Sequence, residues 1–233
     1  VTVPFYRIDV LHPVDIIEDV AIYYGYNNIP AVLPVLITQG KLLDKSIIYQ
    51  KIREILNGFG YQEIVNYIIS NQELQCKKFG LDQKEVGLIL IENPISKDYD
   101  CIRANLFPCV INFLSYNTFN PYPQKVYELG DVIFAKEDKI ITRSRLCSAI
   151  IYNEASFEDL HSCLYSLLKS FNINFELKEN DLNFLLEGRR ADIIVNNKKV
   201  GFIGEINPDI LLEFSLFNPA VIFELDLSLI FNI

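Results

Sequence analysis

Asp9, Asp15, Glu18 and Asp19 put four carboxylates within eleven residues. Positions 15, 18 and 19 lie three and four apart, so on a helix they project from one side. Asp9 comes from the extended stretch just before. An oxygen-only set of this kind suits Mg²⁺, which takes one or two carboxylates and keeps several waters. The same acids, in the first turns of a helix, would also complement its dipole and cap its amides. Spacing alone favours the dipole and cap.

Other candidates are sparser. Glu187-Gly188-Arg189-Arg190 sets two cations after a glycine, able to meet phosphate or a partner's carboxylates, or to close a local salt bridge. His12 and His161 are the only histidines, and neither has a second ligand at metal spacing. No GxSxG elbow, Walker loop or Rossmann glycine fingerprint is present. Cys76, Cys101, Cys109, Cys147 and Cys163 form no CxxC pair, which predicts reduced, buried thiols in a cytosolic protein. The residues alone therefore give no self-sufficient active site.

The elements that must hold these groups follow from hydrophobic period. An extended segment is expected at Val3–Val10 and a helix at Val14–Tyr24, where Ile16, Ile17, Val20, Ala21 and Tyr24 recur at helical spacing. Gly25 ends it, and a connector with Pro30 and Pro34 covers about 27–42. A longer helix is expected at Lys45–Asn57, capped by Asp44, with Ile48, Ile52, Ile55 and Leu56 in one stripe. Strands are expected at Gln62–Ser70 and Val86–Ile91, and a third helix from Pro108 to Thr118. Strand-like stretches at Lys125–Phe134 and Arg145–Tyr152 flank the charged turn KEDK. A helix is expected at Phe157–Phe171, and a hairpin joins Ala191–Val195 to Lys199–Ile206 through Asn196-Asn197. Pro208 starts a short helix, and Ala220–Leu227 is a closing strand. Hairpin-like runs with interspersed helices predict an α+β fold with a mainly antiparallel sheet.

Composition narrows the class. The 233 residues carry 21 Lys plus Arg against 30 Asp plus Glu, a formal charge of −9, which argues against a module built to grip phosphate backbones. Half the residues are apolar, enough for a real core. No apolar run approaches membrane length and no leader is visible, so a cytoplasmic location without membrane contact is expected. The chain has no Met, even at position 1, and is read as the tail of something longer.

Several segments, in order, resemble the β subunit of phenylalanyl-tRNA synthetase. They are RIDV at Arg7–Val10, EDVAIYYGYNNIP at Glu18–Pro30, NPIS at Asn93–Ser96 and IRANLFP at Ile102–Pro108, followed by YELGDVI at Tyr127–Ile133, EGRRADIIVNNKKVGFIGEINP at Glu187–Pro208 and FELDL at Phe223–Leu227. The resemblance implies a class II synthetase-like antiparallel sheet flanked by helices, with residues 1–30 ending a small preceding domain and 31–233 forming the catalytic-like module. It implies an α subunit as partner in an (αβ)₂ heterotetramer, where α binds ATP, activates Phe and charges tRNA(Phe). It also implies that Asp9, Asp15, Glu18 and Asp19 hold a Mg²⁺ shared with α, although Asp19 is shorter than the Glu common there. No GxGxER stretch is present, since Gly188-Arg189-Arg190 lacks the second glycine and the acid, and no FRxE strand. The module is therefore expected to be non-catalytic. The editing domain and a C-terminal anticodon-contacting domain are not in this sequence, which fits an archaeal or eukaryotic type. The helix at Lys45–Asn57 and an aromatic-rich surface are the expected contacts with α. The alternative is a stand-alone interaction or regulatory module on a synthetase fold.

Overall fold

Pro13 opens the first helix, α1 (Pro13–Tyr24), where its missing N–H costs nothing. His12 is its N-cap, and Gly25 ends it at φ 88°. The computed structural model describes residues 1–38, 40–137 and 139–233. These divide into two units, Val1–Lys41 and Leu42–Ile233. In the first unit the expected extended stretch at Val3–Val10 is a pair of turns instead, closed by Arg7 N–H to Pro4 and Val10 N–H to Arg7. No residue of α1 is buried, so its apolar stripe stays exposed. Gln39, within the expected connector, lies outside the described residues.

The second unit begins with α2 (Asp44–Gly58). Asp44 sits inside its first turn rather than capping it, and there favours the dipole. Short elements follow: β1 (Gln62–Glu63), β2 (Ile69–Ser70), α3 (Gln72–Gln75), α4 (Gln83–Val86), β3 (Ile89–Leu90) and β4 (Cys101–Ile102). The strand expected over Gln62–Ser70 is thus broken in the middle. Its cause is Glu128, whose carboxylate accepts the Asn66 backbone N–H and competes with ladder bonding. The strand expected from Val86 starts late because Gly87 turns at φ 70° and its carbonyl accepts Ala135 N–H.

The remaining elements are α5 (Phe107–Tyr116), β5 (Gln124–Lys136), β6 (Lys139–Ile151), α6 (Phe157–Ser170), β7 (Glu176–Glu179), β8 (Leu185–Val195), β9 (Lys198–Ile206), α7 (Pro208–Glu213), β10 (Ala220–Asp226) and α8 (Leu227–Phe231). Of the expected KEDK turn, Asp138 lies outside the described residues. Asn196 and Asn197 both take positive φ, as a two-residue hairpin turn requires.

Seven strands form the main sheet in the order β1-β5-β6-β10-β9-β8-β7, antiparallel except for β1 beside β5. A small sheet has the order β2-β4-β3. Alternation along β10 divides the interior. Val221, Phe223 and Leu225 pack with Ile52 and Leu56 of α2 and Leu160, Leu164 and Leu167 of α6. Ala220 and Ile222 face the other way, with Phe107, Val110, Ile111 and Leu114 of α5. The fold is therefore α+β, a large mainly antiparallel sheet flanked by helices. Ile52 and Leu56 of α2 are spent on its own sheet, while Ile47, Gln50, Lys51 and Glu54 stay exposed.

Candidate functional site

In the first unit the four acids find local partners. Arg7 donates to Asp9 through Nε and Nη2 at 2.9–3.1 Å, and to Asp19 through Nη2 at 2.9 Å. Hydrogen bonds from Arg7 hold the Asp9 carboxyl below the usual carboxylate range. Asp15 Oδ2 accepts the backbone N–H groups of Leu11 and His12 at 2.7 Å, completing a capping box with His12. Glu18 makes no hydrogen bond or ion pair among the described residues. Across the described residues, no three His, Cys, Asp or Glu side chains group closely enough to hold a metal ion.

The second unit carries a denser polar constellation on the α5 side of the sheet. Glu224, in the middle of β10, is buried. Its Oε1 accepts Arg145 Nη1 at 2.6 Å, and its Oε2 accepts the backbone N–H groups of Leu106 and Phe107 at 3.0 and 2.7 Å. These amides open α5, so the carboxylate sits where the helix dipole favours it. Gln75 Oε1 takes the preceding amides, Ala104 and Asn105. The segment Ala104–Phe107 is thus pinned by two buried side chains. One strand pair away, Arg103 is buried against Glu128 and Glu128 also receives Asn66. Beside Glu224, the Phe107 ring stacks on Phe184 at 4.7 Å, and Phe202 meets both edge-on.

The other sequence candidates close on themselves. Arg189 closes a local salt bridge with Glu205, while Arg190 donates to the Leu182 carbonyl and reaches the exposed Asp181 only at 3.9 Å. His161 stacks on Phe157 and meets Phe175 edge-on. All five cysteines are free and buried, and burial pushes Cys101 and Cys109 up to about 12 and Cys163 to about 11. Glu224, Arg145, Glu128 and Gln75 were not singled out from sequence. The signal available was an acid set in an otherwise apolar strand, as in YELG and FELD.

This architecture has a solved counterpart. Desulfitobacterium hafniense PylSc, a pyrrolysyl tRNA synthetase, aligns over 79% of this chain and 66% of its own at a TM-score of 0.66 and 14% identity, so the class II synthetase fold is shared. The family model for the phenylalanyl tRNA synthetase beta chain CLM domain matches residues 29–227. The chain belongs to this family. The tRNA synthetase B5 domain model matches residues 1–26. The phenylalanine–tRNA ligase beta subunit of Thermococcus sibiricus is 37% identical over 95% of the chain, and that of Saccharolobus islandicus 36% over 98%. The alignments cover 40% and 41% of those two relatives, so the chain spans about two fifths of their length. No helix among the described residues is long and apolar enough to cross a membrane.

Proposed function

We propose that this chain is a β-subunit portion of a phenylalanine–tRNA ligase, acting in the cytoplasm. In this reading residues 1–30 end a small preceding domain, and 31–233 form a non-catalytic synthetase-like module. The module braces an α subunit that binds ATP, activates Phe and transfers it to tRNA(Phe) within an (αβ)₂ assembly. The observation that carries the reading is the commitment of Glu224. Both its oxygens are spent on Arg145 and on the amides opening α5, and the stacked Phe107 and Phe184 rings line the cavity of about 480 Å³ alongside. The polar groups of this sheet face support the fold and leave nucleotide chemistry to the partner.

The acids Asp9, Asp15, Glu18 and Asp19 are proposed as the ligands of a Mg²⁺ shared with α. The donor set fits the ion in kind, being all carboxylate oxygen, and Glu18 is uncommitted among the described residues. Arg7 supplies the counter-charge to Asp9 and Asp19 in the arrangement described. The ion would supply a fixed positive charge joining the two subunits.

The test is co-expression with the α subunit of the same organism. Light scattering after size exclusion should find two copies of each chain, and Phe-dependent ATP–pyrophosphate exchange should need α. Separate elution at micromolar concentration, or exchange by this chain alone, would overturn the proposal.

A further inference from the structure

The cavity beside Glu224, about 480 Å³, is of the size that small-molecule sites take. Phe107, Phe184 and Phe202 supply aromatic wall, and Val86, Leu182 and Leu229 aliphatic wall. Its charged lining is Arg145, Lys199, Glu85, Glu224 and Asp226. Part of that charge is met within the chain. Glu224 is taken up by Arg145 Nη1 and the amides opening α5, and Lys199 pairs with Asp192 at 2.9 Å.

One cationic edge and two carboxylates are left over. Arg145 spends only Nη1, on Glu224 and Asn105. Its Nε is buried without a partner, and its Nη2 makes no hydrogen bond among the described residues. Nε and Nη2 form the edge of a guanidinium that grips a carboxylate with two parallel bonds. Arg7 and Arg53 use that edge on Asp9 and Glu63. Arg145 leaves it unspent. Asp226 stands opposite Arg145 across the β6–β10 ladder, yet the two form no ion pair among the described residues. Cross-strand neighbours have Cβ atoms about 5 Å apart, so one small molecule can reach both. Asp226 Oδ1 caps α8 through the Leu229 N–H, while its Oδ2 and the exposed Glu85 carboxylate accept no hydrogen bond among the described residues.

We propose that this cavity binds a free α-amino acid with an apolar or aromatic side chain. Its carboxylate takes the Nε–Nη2 edge of Arg145, its ammonium sits between Asp226 and Glu85, and its side chain lies against Phe202. Charge chooses the zwitterion. Two cations against three carboxylates give the lining a formal −1, which opposes a simple anion or a phosphate ester. A simple cation would leave the Arg145 edge without a partner. Binding needs neither nucleotide nor α, so the inference stands apart from the β-subunit reading.

Saturation-transfer NMR on the 233-residue chain compares L-phenylalanine with 3-phenylpropionate, which lacks the ammonium, and phenethylamine, which lacks the carboxylate. L-Phenylalanine should bind with a Kd of about 1 mM or tighter, and each analogue about tenfold more weakly. Its addition should shift amides at 200–202 and 226–229. Asp226→Asn keeps an acceptor to cap α8, and Glu85→Gln is a surface change. The double variant should weaken L-phenylalanine about tenfold and leave 3-phenylpropionate unchanged, since that analogue has no ammonium to lose. Circular dichroism checks its folding, and the analogue series on the wild type needs no variant. No L-phenylalanine binding at about 10 mM, or equal affinity for all three compounds, would overturn the inference. Equal loss of L-phenylalanine and 3-phenylpropionate by a folded double variant would do the same. Tighter binding of adenosine than of L-phenylalanine would assign the cavity to a nucleoside and overturn it as well.

Discussion

Glu224 accepts Arg145 Nη1 at 2.6 Å with one oxygen and the first amides of α5 with the other. The residue is 2% exposed and its partner's side chain 18% exposed, so neither charge is well hydrated. Removing one member of such a pair strands the other. Glu224→Ala should therefore cost about 3–5 kcal/mol, while Glu224→Gln, which keeps a neutral acceptor, should cost about 1–3 kcal/mol. Urea unfolding followed by circular dichroism gives both values. Equal midpoints for wild type and Glu224→Ala would remove the carboxylate from the support of α5.

Gly201 on β9 pairs with Leu225 on β10. A Cβ there would collide with the Glu224 carbonyl, which is backbone and cannot swing aside. Gly201→Ala should destabilise by about 1–3 kcal/mol. Gly58 at the end of α2 has open space around it and an ordinary φ. Gly58→Ala should leave stability unchanged or raise it by about 0.4–1 kcal/mol, through the unfolded chain. Thermal melts of the two variants should shift in opposite directions or by clearly unequal amounts.

Asp131 predicts an acid-sensitive step. Burial works against its ionisation, but hydrogen bonds from Lys45 and Ser144 outweigh that and hold the carboxyl below its ordinary range. Asp159 behaves alike, with burial opposed by Ser156 and Tyr152. A carboxyl depressed in the folded state contributes stability above its unfolded pKa of about 3.9 and loses it as pH falls through the lower folded value. Stability should thus decline below about pH 4. Asp131→Asn should flatten the decline and lower stability at neutral pH. An unchanged slope of urea midpoint against pH would refute this.

The sheet was legible because its strands alternate and its turns carry their own punctuation. Asn196-Asn197 and Asn207-Pro208 mark their hairpin and helix without help from the rest of the chain. The broken strand between Gln62 and Ser70 was not legible, since its break depends on Glu128, sixty-two residues after the Asn66 it binds. The same distance hid Glu224, whose burial is set by α5, 117 residues earlier. Periodicity reports which face of an element is apolar. It does not report which polar group from afar will occupy that face. The extended reading of Val3–Val10 failed for a related reason. Its apolar residues fit a strand, but no strand lies beside them to complete a ladder among the described residues.

The acidic cluster can be tested at Glu18 with less ambiguity than at its neighbours. Asp15 accepts two backbone N–H groups at the start of α1, so its loss frays the helix whatever else it does. Asp9 and Asp19 share Arg7, so removing either rearranges an ion pair. Glu18 has no such duty among the described residues. If the four acids hold a shared Mg²⁺, Glu18→Gln should weaken the Mg²⁺-dependent part of α association while leaving the helicity of α1 intact. Arg7→Gln should move it the other way, by freeing Asp9 and Asp19 for the ion. Titrating Mg²⁺ into the co-purified complex, with subunit dissociation as the readout, separates the outcomes. Identical Mg²⁺ dependence in wild type and Glu18→Gln would leave these acids to the cap, the dipole and Arg7.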